Sequence, residues 1–390
     1  MSIYLLATLD TKGAEAAFVC DRLRELGMQV ELVDCGCSGE PGDRGRAVNA
    51  AAVKATQIVS AAFAAGKVDG VLAIGGSAGT TIGTAAMRAL PIGVPKLMVS
   101  TLASGNVRSW VGDKDILMLN SIVDIAGINR ISRQILNQAA AAMAGMVAAA
   151  ASPKSQIPNS KSDRPLIAAT MFGVTTPCVQ HARKILEDAG YEVLVFHATG
   201  NGGQAMESLI RDGLIAGVLD ITTTELADEL VGGVLSAGPT RLTAAGQMGI
   251  PQVVSVGALD MVNFGPRDTV PEKFAGRKFH VHNASVTLMR TNAEENAKLG
   301  EEIGRKLSQA KGPTSILLPR QGVSAIDRAG QPFDDPAARS ALFDGIRRTR
   351  GSIELVELDQ HINDPAFAAR VADRLLELLR SAVKPLAARL

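Results

Sequence analysis

One strand–helix–strand pattern occurs twice in this chain, and that repetition constrains the fold more than any other feature. An apolar run at residues 5–10, a helical stretch ending at Gly27 and a second run at 30–34 form the first copy. At a constant offset, residues 168–173, a helix ending at Gly190 and residues 193–197 form the second. The third strands correspond as 69–76 and 216–223, and the fourth as 94–100 and 250–256. Short apolar strands alternating with helical segments imply parallel βαβ units. The expected fold is therefore α/β, with two Rossmann-like parallel-sheet domains related by internal duplication. The polar, proline-bearing stretch 152–165 reads as a linker between a nucleotide-binding domain at 1–151 and a second α/β domain at 166–390. That second domain adds a strand near 279–285, helices near 293–309 and 337–348, and strands at 315–319 and 353–358. The amphipathic segment 367–379 suits either domain.

Within the first copy, the third strand runs into Gly75, Gly76, Ser77, Ala78, Gly79, Thr80 and Thr81 before a helical pattern from Ile82. A glycine-rich turn opening a helix presents several backbone N–H groups where the helix dipole favours an anion. Glycine also lets a phosphate approach the backbone closely. The turn is not a Walker A loop, since no lysine precedes Thr80, and it is not a GxGxxG fingerprint. It suits a phosphate or a purely structural βα turn.

Ligands of open parallel sheets bind outside the carboxyl ends of the strands. In the first domain those positions hold Thr8, Asp10, Thr11 and Lys12, the 75–81 turn, and Ser100, Thr101 and Ser104. In the second they hold Thr175 and Thr176, then Thr199, Gly200, Asn201, Gly202 and Gly203, then Thr222, Thr223, Thr224 and Glu225. Each loop taken singly also suits a helix cap or a turn. Together they favour binding in a cleft: a nucleotide on the first domain, and a small anionic substrate on the second.

Composition narrows the setting. With 390 residues, 46% of them hydrophobic, the chain can bury substantial cores. A net charge of +1 disfavours a broad nucleic-acid surface. The four cysteines, Cys20, Cys35, Cys37 and Cys178, form no CxxC pair, which suits a reduced cytoplasmic protein better than a disulfide or zinc scaffold. The first residues read as a strand without the basic flank of a signal peptide. The alanine-rich run 139–151 is too short to span a bilayer, so no membrane role is expected. Its small-residue surface points instead to a homo-oligomer, a dimer or larger.

Several side chains stand out as chemistry candidates. His197 ends a strand at the binding edge and suits general acid/base work or a ligand contact. Asp220 interrupts an apolar strand where the first copy has Ala73. A buried carboxylate requires a partner, so Asp220 and nearby Glu225 are candidates for cation or proton chemistry. His280 and His282, two apart on an expected strand, share one face and, with Asp260, suit a divalent metal; the same pair suits hydrogen bonding in a cleft or interface. Cys178 lies early in a helix and reads as inert without a histidine partner. Ser324 and Asp327 suit a substrate contact or a simple turn.

The segments 7–15, 75–81, 197–203, 281–283 and 318–327 resemble the Tm-1-like ATP-binding, UPF0261 family. That family includes the inhibitory N-terminal region of a tomato virus-resistance protein, and the resemblance covers essentially the whole chain. It implies two α/β domains, bound ATP with Mg²⁺, and in plants the inhibition of a viral replication protein. It also makes a TIM-barrel protein, fused in plant relatives, a candidate partner. The family pattern carries glycine where this chain has Ala78; a positive φ there would strain the turn by roughly 1 kcal/mol. Three functions remain open: an ATP-dependent enzyme acting on a small anionic metabolite, a nucleotide-dependent interaction or inhibitory module without turnover, and a nucleotide-sugar-type enzyme.

Overall fold

The computed structural model describes residues 2–36, 43–151 and 164–387. Most of the expected linker (152–163) and Cys37 lie outside the described residues. The chain divides into two compact units, Met1–Ser160 and Lys161–Leu390.

The first unit runs β1 (Ser2–Ala7), α1 (Leu9–Glu25), β2 (Gln29–Asp34), α2 (Arg44–Ala64), β3 (Gly70–Gly75), α3 (Ser77–Arg88), β4 (Lys96–Ser100), α4 (Arg108–Val111), β5 (Leu117–Asn120) and α5 (Arg130–Ala151). Its sheet has the order β2-β1-β3-β4-β5, with every pair parallel. This is a doubly wound sheet whose order reverses between β1 and β3, the place where such folds bind ligands. Side chains of β1, β3 and β4 alternate between two cores. Ile3, Leu5, Leu72, Ile74, Leu97 and Val99 pack under α1 and α5, while Tyr4, Leu6, Val71, Ala73 and Met98 pack under α2 and α3. Burial on both faces explains why β3 reads as an unbroken apolar run. Each large side chain so buried stabilises the unit by about 1.5–3 kcal/mol.

The alanine-rich run is the second half of α5, and Ala139, Ala140, Met143, Ala144 and Val147 are buried in its own unit. By length and composition α2 and α5 would suffice to cross a membrane. In this fold both lie against the sheet, α2 through Ala52, Ala55 and Val59.

The second unit runs β6 (Leu166–Met171), α6 (Thr176–Asp188), β7 (Glu192–His197), α7 (Asn201–Arg211), β8 (Gly217–Thr222), α8 (Glu225–Val231), α9 (Ala244–Met248), β9 (Gln252–Gly257), β10 (Met261–Phe264), β11 (Phe279–Asn283), β12 (Val286–Arg290), α10 (Ala293–Ser308), β13 (Thr314–Pro319), α11 (Pro336–Thr349), β14 (Glu354–Leu358) and α12 (Pro365–Ala387). Its main sheet has the order β7-β6-β8-β9-β13-β14, again all parallel. The first four strands thus repeat the order seen in the first unit, as the duplication requires. After β9 the copies diverge: an antiparallel sheet, β10-β12-β11, is inserted before α10. Helix α12 contains the amphipathic segment left open above. Its Phe367, Val371, Leu375 and Leu379 join the core of the second unit with α6.

Candidate functional site

At the carboxyl end of β3 the chain turns through Gly75 and Gly76 and enters α3 at Ser77. The helix starts five residues earlier than the apolar periodicity suggests, so Ser77 to Thr81 form its first turn. Two glycines are required for this close turn. A Cβ on Gly75 would lie 2.8 Å from Gly79 Cα, and one on Gly79 3.1 Å from Ile74 O. Gly76 is different, since a Cβ there would meet only Thr101 Oγ1, at 3.7 Å. Ala78 lies in the helical turn and is not among the residues with positive φ, so alanine brings no strain there.

Hydroxyl placement separates the expected ligand contacts into two groups. Thr80 is fully buried; its Oγ1 donates to Gly76 O (2.8 Å) and shares a 2.7 Å hydrogen bond with Ser100 Oγ. Ser100 Oγ also accepts from Leu102 N, so this pair braces the β3 and β4 ends rather than facing a ligand. Thr81 Oγ1 turns back to Ser77 O (3.0 Å). Ser77 remains exposed. The N–H groups of Ser77, Ala78 and Gly79 have no acceptor among the described residues, and the first intrahelical bond is Thr80 N to Gly76 O.

The neighbouring β1–α1 turn is internally tied. Asp34, at the end of β2, accepts from Leu9 N (3.1 Å) and Gly36 N (2.9 Å), supplying an acceptor at the start of α1. Thr8 and Thr11 share a 3.0 Å hydroxyl contact. Lys12 Nζ donates to Ile125 O, and Glu15 accepts from Gly127 N, so both hold the segment after β5. Lys12 is thus engaged, whereas Asp10 and Thr11 are exposed.

In the second unit the expected chemistry rearranges around a residue that sequence reasoning missed, Arg241. Its side chain is fully buried. It grips Asp220 through Nη1–Oδ2 (2.5 Å) and Nη2–Oδ1 (2.7 Å), and Glu225 through Nε–Oε2 (2.7 Å). Glu207 lies 3.7 Å away. Burial by itself would lower the guanidinium's pKa, but Asp220, Glu225 and Glu207 hold it well above the ordinary value. Burial pushes Glu207 up, against the opposing pull of Arg241. Asp220 and Glu225, expected as free carboxylates for cation or proton chemistry, are thus clamped on a buried guanidinium. The anomaly of Asp220 pointed to a buried partner, but no local signal named a residue in a loop 21 positions away.

Glu225 also reaches the glycine loop after β7. Its Oε1 accepts from Gly200 N (2.7 Å) and Gly203 N (3.1 Å) at the start of α7. Thr222, Thr223 and Thr224 are fully buried, and Thr175 Oγ1 is bonded to Thr222 Oγ1 (2.8 Å). These threonines join strand ends to one another instead of lining an accessible substrate site. Thr176 Oγ1 donates to Phe172 O, and Thr199 Oγ1 to His197 O. Asn201 is exposed, and Gly202 sits against His197 O. His197 itself is exposed and stacks on Phe172 with ring centroids 5.4 Å apart. Strand β6 separates it from Asp220 on β8, so the two do not form a catalytic pair.

The histidines of β11 also part company. A bulge falls at His282, where strand register shifts between Val281 and Asn283, which interrupts simple alternation. His280 packs edge-on to Phe333 at 6.3 Å, and His282 is exposed. Asp260 is wholly buried and accepts from Ser324 Oγ (2.8 Å). Burial, with nearby Asp327 adding to it, pushes Asp260 up to about 7. Among the described residues no group of three or more His, Cys, Asp or Glu side chains is placed to hold a metal ion. Ser324 is fully buried, its oxygen accepting from Ile326 N and Asp327 N, so it is a loop clasp rather than a substrate contact. Burial pushes the Cys178 thiol up to about 12, an inert thiol as expected.

Fold and site together define a two-unit, doubly wound α/β protein with an accessible glycine turn in the first unit. Residues 1–43 and 38–152 match the N-terminal domain, and 164–379 the C-terminal domain, of the uncharacterised protein family UPF0261. The chain belongs to that family. It is 48% identical to a UPF0261 protein of Clostridium tetani, covering 97% of this chain and 98% of that one. It is also 48% identical to the ToMV resistance protein Tm-1(GCR237) of Solanum lycopersicum, over 79% of this chain and 41% of the tomato protein. A crystal structure of MurG from Acinetobacter baumannii aligns over 96% of this chain and 99% of its own, at 12% identity and a TM-score of 0.21. At that score the fold assignment rests on strand order alone.

Proposed function

We propose that this protein binds ATP with Mg²⁺ through its first unit. The observation that carries this reading is the start of α3: three N–H groups without an acceptor among the described residues, at the carboxyl end of a central strand, beside Gly76 and the exposed Ser77 hydroxyl. Backbone donors and the helix dipole together suit a phosphate. Mg²⁺ typically takes only one or two carboxylates together with phosphate oxygens and water. Asp10, exposed in the first turn of α1 after the end of β1, would supply such a carboxylate. When bound, the ion would neutralise phosphate charge. Thr101, next to Gly76, and Thr11 complete the polar rim, while Thr80 and Ser100 keep it rigid.

The second unit is read as holding a small anionic metabolite on its exposed strand edge, with His197 and Phe172 as contacts. A nucleotide-dependent interaction module, without turnover, is the alternative. The engagement of Asp220 and Glu225 by Arg241 favours that alternative, because it removes two candidates for chemistry. The tomato relative, by name a virus-resistance protein, points the same way. We further propose a cytoplasmic homo-oligomer, checked by light scattering.

Gly76→Val tests the site, because its side chain enters the space in front of α3 without meeting backbone. ATP affinity should fall at least tenfold while the melting temperature stays near that of the unaltered protein. Unchanged affinity in the folded variant would place ATP elsewhere. Gly79→Val is unsuitable, since its Cβ presses on Ile74 O and alters the turn itself.

A further inference from the structure

The glycine loop of the second unit has the form of an anion site but already contains an anion. Helix α7 begins at Asn201, after Gly200 at φ +86°. The N–H groups of Gly200 and Gly203 converge on one carboxylate oxygen of Glu225, and the other oxygen receives Arg241 Nε. Glu225 is fully buried, and so is Arg241. The fit is close: a Cβ on Gly203 would lie 2.2 Å from Glu225 Oε2. Backbone donors at a helix start, a fixed guanidinium behind them and glycines that admit close approach are what a bound carboxylate or phosphate requires.

We propose that the loop at 199–203 is a carboxylate-binding cradle that the chain fills with its own Glu225, and that it accepts a small free carboxylate once that side chain is removed. Glu225 arrives from the β8–α8 turn, so one carboxylate joins the starts of α7 and α8 and the Arg241 loop. The loop therefore acts as an internal clasp, and an external ligand of this unit must bind to the exposed rim instead. Nothing in this inference depends on nucleotide binding by the first unit.

Glu225→Ala tests it, because the deleted group differs from acetate by one hydrogen. Melting of the full-length variant is compared in sodium acetate and in sodium chloride at matched ionic strength. The variant should melt about 5–10 °C below the unaltered protein. Acetate should raise that melting temperature saturably and beyond chloride, whereas the unaltered protein should respond equally to both salts. If the variant does not stay folded, refolding yield in the two salts gives the same comparison, with a higher yield in acetate expected. Glu225→Gln keeps an acceptor oxygen in place and should show no acetate-specific gain. The proposal is overturned by a Glu225→Ala variant that melts with the unaltered protein, or by equal effects of acetate and chloride on its melting or refolding.

Discussion

The N-termini of α3 and α7 show how two related units put the same motif to opposite uses. Both helices follow a glycine turn at the carboxyl end of a parallel strand. At α3 the turn is closed by glycine backbone, and three N–H groups have no acceptor among the described residues. At α7 the donors of Gly200 and Gly203 end on Glu225, itself held by Arg241. A phosphate turn and an internal clasp need the same donors. What separates them is whether a carboxylate elsewhere in the fold reaches the helix start. In the first unit Asp34 does this for α1, through Leu9 N, but among the described residues no carboxylate reaches α3.

The largest test breaks the clasp. Arg241→Met leaves Asp220 and Glu225 buried without their cation and Glu207 with Arg211 alone, and breaking a buried ion cluster from one side typically costs about 3–5 kcal/mol. In urea, the second unit should unfold at markedly lower denaturant. ATP affinity of the folded protein should be unchanged. If the variant is as stable as the unaltered protein, the cluster is not what holds the loop.

A second test uses the buried acids, since Glu207, Asp228 and Asp260 of the second unit all have carboxyls pushed upward by burial. For Asp260 the folded value of about 7 lies above the ordinary carboxylate value of 3.8, so the folded state holds the extra proton. Its contribution is full below about pH 4 and is lost as pH rises through 7. Asp260→Asn should therefore match the unaltered protein near pH 4 and become the more stable of the two as pH rises through 7. Equilibrium denaturation across that range checks it; a constant difference would remove Asp260 as the titrating group.

The smallest change imitates in the first unit what Glu225 does in the second. Ser77→Asp places a carboxylate at the start of α3, where it stabilises the helix by about 0.3–1 kcal/mol. It repels phosphate, so ATP affinity should fall at least tenfold by calorimetry, a loss of about 1.4 kcal/mol. Because the loop of the second unit is filled, all nucleotide binding should weaken and not half of it. Residual tight binding at half stoichiometry would show that the second unit also takes nucleotide.

Much of the architecture was legible before any coordinate. The duplication, the strand positions and the helix at 293–309 follow from local periodicity, which survives because both faces of β3 and β8 are buried. The glycine turn was legible too, since Gly75 and Gly79 answer to a backbone contact four residues apart. Its extent differs from the periodicity: Thr80 and Thr81 sit inside the helix, and their hydroxyls donate to the carbonyls of Gly76 and Ser77. His282 was misread for a related reason, because a bulge reflects pairing with β12 and leaves no mark in alternation.

What the sequence alone determined is the pair of doubly wound α/β units and the place of a glycine turn in each, because periodicity and backbone freedom are local properties. Only the tertiary structure decided which turn keeps free donors. Asp220 and Glu225 lie within six residues between β8 and the start of α8, but their chemistry depends on Arg241, whose loop folds back into the core. A carboxylate near solvent and one clamped by a buried guanidinium are the same residue in a sequence. Their difference lies in dielectric surroundings and partner distance, which arise only when remote segments meet.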